Sequence, residues 1–352
     1  MQKKLIALAV AGVMAAPMAA QAGSAEIYGK VRLSVGVVGN DDTSANRDDS
    51  KLNLTSHNSR FGVKGSEALD GDLTAIYQFE TEVDFDDNDN GLFDSMRDTY
   101  LGLKGGFGTV KFGRMNSPYK NAAGDVDVWK DTHGDFNAII GTMHDDRFDN
   151  TIAYYSPAMN GITLGVAYIT DTNDDDLPDS SAAENDGISI AAMYESGPLY
   201  ASLAYQSLAE AGSGSEDAEG TKLTLGYTVG MTKLGFAYEM DDMGGNNNDQ
   251  DRMYFSVAQD MGDGMAVKAA LGMADDRGNT ADSGATFFAL GGTKSIGDSA
   301  EFYALYAQVD NDSGATTGGT GDFGLYEFAA TGTPEASANV FALGVNLKFS
   351  SM

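Results

Sequence analysis

The chain has no cysteine, one tryptophan, three histidines and six prolines in 352 residues. An exported chain without cysteine is not a disulfide scaffold, so its fold must be held by hydrogen bonds and packing. Catalysis needs a base placed beside a nucleophile or a water. The three histidines, His57, His133 and His144, sit in no recognisable Ser or Asp signature, which argues against an enzyme. The stretch from Gly29 to Gly36 has no phosphate-binding spacing. Bases are scarce, 22 Lys and Arg against 52 Asp and Glu, for a net charge of −30. That balance excludes a nucleic-acid partner, which requires a basic footprint. No apolar run in the body of the chain reaches the about 20 residues of a membrane-crossing helix.

What is present points to export. Lys3 and Lys4 precede an apolar run at 5–16 that is too short to span a bilayer, and Ala20-Gln21-Ala22 has the small-x-small form of a cleavage site. Residues 1–22 therefore read as a signal peptide and 23–352 as one mature domain. Losing Lys3 and Lys4 takes the net charge from −30 to −32. Only helices and closed barrels satisfy the backbone in lipid. Without helices, a membrane form of this chain crosses with strands, for which 44 glycines, 16 tyrosines and 17 phenylalanines are suitable material.

Period-two alternation runs along most of 25–349. In 25–38, Ile27, Val31, Leu33 and Val35 share one face, and Glu26, Tyr28, Lys30, Arg32 and Ser34 the other. In 51–66, Leu52 and Leu54 are out of phase with Phe61 and Val63, which predicts a bend or bulge near Ser56–Ser59. Leu223, Leu225 and Tyr227, and later Phe341, Leu343, Val345, Leu347 and Phe349, repeat the pattern. The connections alternate in length. Seven are short (67–71, 105–108, 157–161, 196–198, about Gly230, 261–264 and 296–299). Eight are long and acidic (39–50, 84–94, 116–147, 171–185, 209–219, 242–250, 275–283 and 310–337). Seven short and eight long connections imply 16 strands, and the asymmetry is that of an outer-membrane barrel. The predicted fold is all-β, a membrane-spanning antiparallel up-and-down β-barrel of 16 strands, wide enough for an aqueous channel.

The longest gap in the alternation is 116–147, the third long connection. It holds Trp129, His133 and His144, six acids (Asp125, Asp127, Asp131, Asp135, Asp145, Asp146) and three bases (Lys120, Lys130, Arg147). A structureless connection of about 30 residues is abnormal in a compact domain and is usually functional or disordered. Its proposed place is inside the lumen.

Four stretches carry a family resemblance: IYGKVRL (27–33), NSRFGVKGSEALDGDLTAIYQFE (58–80), RDTYLGLKGGFGTVKFGR (97–114) and DNTIAYYSPAMNGITLGVAY (149–168). Together they resemble the trimeric general diffusion porins of Gram-negative outer membranes. The resemblance covers about 25–170 and the final strand. It implies a homotrimer in the outer membrane, in contact with lipid and lipopolysaccharide, passing ions and small hydrophilic solutes. It implies that the third outer loop bends into the barrel, with acids on that loop facing bases on the wall. Carried over, the wall candidates are Lys30, Arg60 and Arg97, then Arg32, Lys64 and Lys111. The loop candidates are Asp125 and Asp127, then Asp131 and Asp135. There are two departures. Phe349 is followed by Ser350, Ser351 and Met352 where the family ends on phenylalanine, and Gly134-Asp135-Phe136-Asn137 replaces the family's usual Pro-Glu-Phe-Gly.

Net −32 and the acidic loops predict cation preference, tempered by the wall bases. Other readings are a substrate-specific channel, for oligosaccharides for example, with an aromatic ladder begun by Trp129, Tyr119 and Phe136, and a non-conducting adhesin or structural barrel. For Trp129, packing of the loop against the wall is the favoured role. No cofactor is expected. Counted from Asp86, the run matches the first, third, fifth and sixth positions of a calcium loop (Asp86, Asn88, Asn90, Gly91), but Arg97 occupies the position of its closing Glu, so only opportunistic binding of Ca²⁺ or Mg²⁺ by the outer loops, at Asp86, Asp87 and Asp89, is expected.

Overall fold

The computed structural model describes residues 23–40, 51–86, 95–141, 143–170, 186–209, 216–245, 249–313, 325 and 337–351. Strands follow the alternation closely. The first half comprises β1 (Gly23–Asn40), β2 (Lys51–Ser56), β3 (Arg60–Ala68), β4 (Thr74–Glu82), β5 (Thr99–Gly105), β6 (Gly108–Asn116), β7 (Arg147–Tyr155), β8 (Ile162–Ile169) and β9 (Gly187–Ser196). The second comprises β10 (Leu199–Leu208), β11 (Ala218–Val229), β12 (Thr232–Asp242), β13 (Asp249–Gly262), β14 (Met265–Ala274), β15 (Ala285–Ile296), β16 (Ala300–Asn311) and β17 (Ser337–Ser350). Neighbours in sequence pair antiparallel, except β2 with β3, and β1 closes the sheet on β17.

β2 and β3 form one stave. Both pair with β1, and at their junction five residues from Ser56 to Arg60 lie against four from Leu33 to Lys30. One extra residue reverses the inward and outward sense of a strand. This is how Leu52 and Leu54 share the outer face with Phe61 and Val63, and it places His57, Asn58 and Ser59 at the inner surface. The barrel therefore has 16 staves. At its seam, Ser351 N–H donates to Ile27 O at 2.7 Å and Ile27 N–H to the Ser351 hydroxyl at 2.9 Å, so Ser350 and Ser351 extend the ladder.

The barrel is inside-out relative to a soluble protein. On β10, Leu203 and Tyr205 face outward and exposed, while Ser202, Ala204 and Gln206 face inward and buried. Large apolar side chains are exposed in this way around the wall, Leu101, Leu164, Leu225, Leu271 and Leu343 among them. An apolar outer band over a polar interior is the pattern of a strand crossing lipid. The long third connection lies against the inner wall and supplies Tyr119, Trp129, Phe136, Ile139 and Ile140 to the buried core.

Candidate functional site: the lumen and its inserted loop

Local sequence shapes the loop. Ser117 caps a single helical turn, α1 (Pro118–Asn121), by accepting from Lys120 N–H at 3.1 Å, with Pro118 at the first position where it costs no hydrogen bond. The chain turns back through left-handed conformations at Gly124 (φ 57°), Asp131 (φ 54°) and Gly141 (φ 95°). Asp135 caps the short 3₁₀ turn Phe136–Ala138 by accepting from Asn137 N–H at 2.9 Å.

The outgoing limb lies on β9–β13. Tyr119 N–H donates to Ser189 Oγ at 3.0 Å and its hydroxyl to Glu239 at 2.7 Å. Ser202 and Tyr200 both donate to Ala122 O, and Ser256 to Val126 O. The returning limb is held by a buried charge network. Lys222 binds Asp145, Arg252 binds Asp241 at 3.1 Å, His144 lies 3.1 Å from Asp241, and Gly141 N–H donates to Glu239 at 3.0 Å. Burial alone would raise the Asp145 carboxyl, but Lys222 and Lys120 overcome it and hold the group well below the usual carboxylate range. Apolar burial adds to this seat. Trp129, 2% exposed, wedges between Gly134 and Gly291 with the Lys268 ammonium 5.3 Å from its ring centre.

Between the limbs the loop reaches the opposite wall. Asp131 accepts from Arg32, from Arg60 Nη2 at 2.9 Å and from Asn58 Nδ2 at 3.1 Å. Arg97 continues the cluster through Asn58 Oδ1 (2.7 Å), Glu80 (3.0 Å) and Glu82 (3.1 Å). Arg147 pairs with Asp98 at 2.6 Å, and the Lys111 ammonium sits 4.1 Å from the Tyr100 ring centre.

Of the candidate residues, the structure brings Asp131, Arg32, Arg60 and Arg97 together. Asp125 is exposed, in a cavity of about 300 Å³ lined by Glu195, Tyr200 and Lys233 near the short-turn end. Asp127 turns into the loop, accepting from Trp129 N–H and Phe136 N–H and from the Tyr254 hydroxyl. Asp135 accepts from Asp131 N–H at 2.6 Å. Burial and the neighbouring Asp135 push the Asp127 carboxyl well above its usual range, and burial raises Asp135 to about 6 against opposing bonds and lysines. Lys64 pairs with Glu26 at 3.2 Å. Lys30 faces inward beside Arg32 and pairs across the strands with Lys348. Asp86 accepts from Ser56 N–H at 2.8 Å; Asp87 and Asp89 lie outside the described residues, as does the segment 1–22. Tyr119, Trp129 and Phe136 are all buried, so the ladder suggested for sugar binding offers a solute no open ring face.

Several site residues carried no motif. Lys222, Glu239 and Arg252 lie at successive cross-strand positions of β11, β12 and β13. Each sits on the polar face of an alternating strand, which marks it as inward. That Lys222 meets Asp145, and Glu239 the Tyr119 hydroxyl and Gly141 N–H, depends on register and on the loop path.

The family model "Gram-negative porin" matches residues 7–314. "Outer membrane porin protein 32" of Delftia acidovorans is 31% identical over 337 residues, covering 90% of this chain and 92% of that protein. The solved "Anion-selective porin from Comamonas acidovorans" superposes with a TM-score of 0.74 at 24% identity, over 93% of this chain and 100% of the other. OmpT of Vibrio cholerae, in its trimer form, gives 0.69 at 20% identity, over 94% and 100%.

Proposed function

The chain belongs to the Gram-negative porin family of outer-membrane channels, and on that premise we propose that its lumen passes small hydrophilic solutes and ions by passive diffusion, with a preference for anions set at the 116–147 loop. One observation carries the preference. Six bases (Lys30, Arg32, Arg60, Arg97, Lys111, Arg147) gather with four acids (Glu80, Glu82, Asp98, Asp131), a surplus of two positive charges. This replaces the cation preference expected from net charge. That expectation counted every acid alike, whereas most of them stand in the outer connections, and Asp127, Asp135 and Asp145 are buried in the loop's own seat. A charge acts on a passing ion in proportion to its nearness and to the water excluded between them. The Comamonas acidovorans porin of similar fold is anion-selective, which supports the same sign. We also propose a homotrimer, supported by the trimeric neighbour. The test is the reversal potential of purified protein in a planar bilayer under a KCl gradient. A potential of the sign for chloride is expected; one of the sign for potassium overturns the preference, and absence of conductance overturns the channel reading.

A further inference from the structure

Two of the chain's three histidines meet where the inserted loop touches the wall. His57, in the junction between β2 and β3, and His133, on the loop, pack edge to face with ring centres 4.5 Å apart. Their Nε2 atoms converge on one hydroxyl, Ser34 Oγ of β1, at 2.8 and 3.4 Å. Both rings are at most 1% exposed. We propose that this pair is an acid-sensitive latch: neutral, it closes the seam between loop and wall, and protonated, it releases the 128–136 segment and changes the constriction.

The physical basis is the company the pair keeps. From β1 it is faced by Arg32 and Ser34, and from the β2–β3 junction by Asn58, Ser59 and Arg60. The loop contributes Asp131, with Asp135 behind it, and β16 contributes the Tyr303 phenol beside Ser34. The charges already present are two guanidiniums and one shared carboxylate. A proton on either ring adds a third cation to a dry seam, and a second proton puts two imidazolium rings in contact. A released histidine in water takes its proton with a pKa of about 6.5. The released state therefore binds more protons than the seated one, and the latch weakens as pH falls below that value. Asp127 and Asp135 act in the opposite sense, because their raised carboxyls seat better when protonated. Asp145, held low by Lys222 and Lys120, loses its contribution only below the usual carboxylate pKa of about 3.9, so release between pH about 7.5 and about 4.5 must come from the histidines.

The proposal rests on reading 116–147 as the constriction loop, and Trp129 lets the two be tested apart. It is the only tryptophan, buried, four residues from His133. Its fluorescence and acrylamide quenching report loop seating whether or not the channel conducts. In folded protein taken from pH about 7.5 to about 4.5, across the histidine range, the emission should shift to the red and quenching should rise several-fold, reversibly. Conductance per channel should change over the same interval. His57→Gln with His133→Gln keeps hydrogen-bonding side chains without the titration and should abolish both changes. A wild-type Trp129 that stays shielded down to pH about 4.5 overturns the latch, as does a double variant with an unchanged transition. If Trp129 responds as expected but no pH gives conductance, the latch stands and the channel reading falls.

Discussion

Asp131→Asn isolates the charge at the point where loop meets wall. Asparagine keeps the shape of the side chain and tolerates the left-handed backbone at this position, φ 54°, so the turn should survive. What goes is the carboxylate between Arg32 and Arg60, and the local surplus rises from two positive charges to three. An ion passing about 7 Å away interacts with a unit charge by about 0.6 kcal/mol at the dielectric constant of water. At 0.1 M salt, with a screening length of about 10 Å, roughly half of this survives, about 0.3 kcal/mol. Chloride then gains about 1.6-fold in the constriction and potassium loses as much, so the permeability ratio moves about threefold toward anions. The shift should grow in dilute salt and fade in concentrated salt. Reversal potentials of wild type and variant across a tenfold KCl gradient, repeated at two mean concentrations, measure it. An unchanged ratio at low salt would mean that Asp131 does not act on the ion path, and the charge count used for selectivity would fall with it.

Two further perturbations address how the loop is held. Lys222→Met retains the apolar stem but leaves Asp145 with Lys120 as its cation. Breaking a buried pair from one side costs about 3–5 kcal/mol, so Trp129 should become quencher-accessible at a denaturant concentration well below barrel unfolding. The carboxylates predict a pH effect of opposite sign to the histidine latch. Asp135 titrates at about 6 when seated. Its contribution is fully present below the usual carboxylate pKa of about 3.9 and is lost as pH rises through about 6, at most about 3 kcal/mol. In the His57→Gln, His133→Gln background, shielding of Trp129 against denaturant should therefore increase as pH falls from about 7 to about 5.

Most of the wall was legible in the sequence because a strand in lipid must alternate along its whole length. The 25–38 and 338–349 alternations became β1 and β17, and the clash of phase between Leu54 and Phe61 became a one-residue bulge at the expected place. The loop was legible as a location and less so as a set of contacts. Its acids look alike in sequence, yet Asp131 reaches the arginines while Asp127 and Asp135 serve the backbone of the loop itself. That division follows from turns at Gly124 and Asp131, which composition does not reveal. The Lys222, Glu239 and Arg252 row was hidden for a different reason. Each residue is only one more charge on a polar face until strand register sets them side by side.

The central claim is that 116–147 is fixed inside the barrel against the wall. Gly134→Cys with Ala289→Cys tests it most directly. A Cβ built at Gly134 lies 3.2 Å from Ala289 Cβ of β15, close to the about 3.8 Å of a disulfide, and the chain has no cysteine to compete. Oxidation should link residues 134 and 289 within one chain while single-channel conductance at neutral pH stays at the wild-type value. Two thiols that remain free and separately labelled under oxidant, in a correctly assembled barrel, would contradict the account.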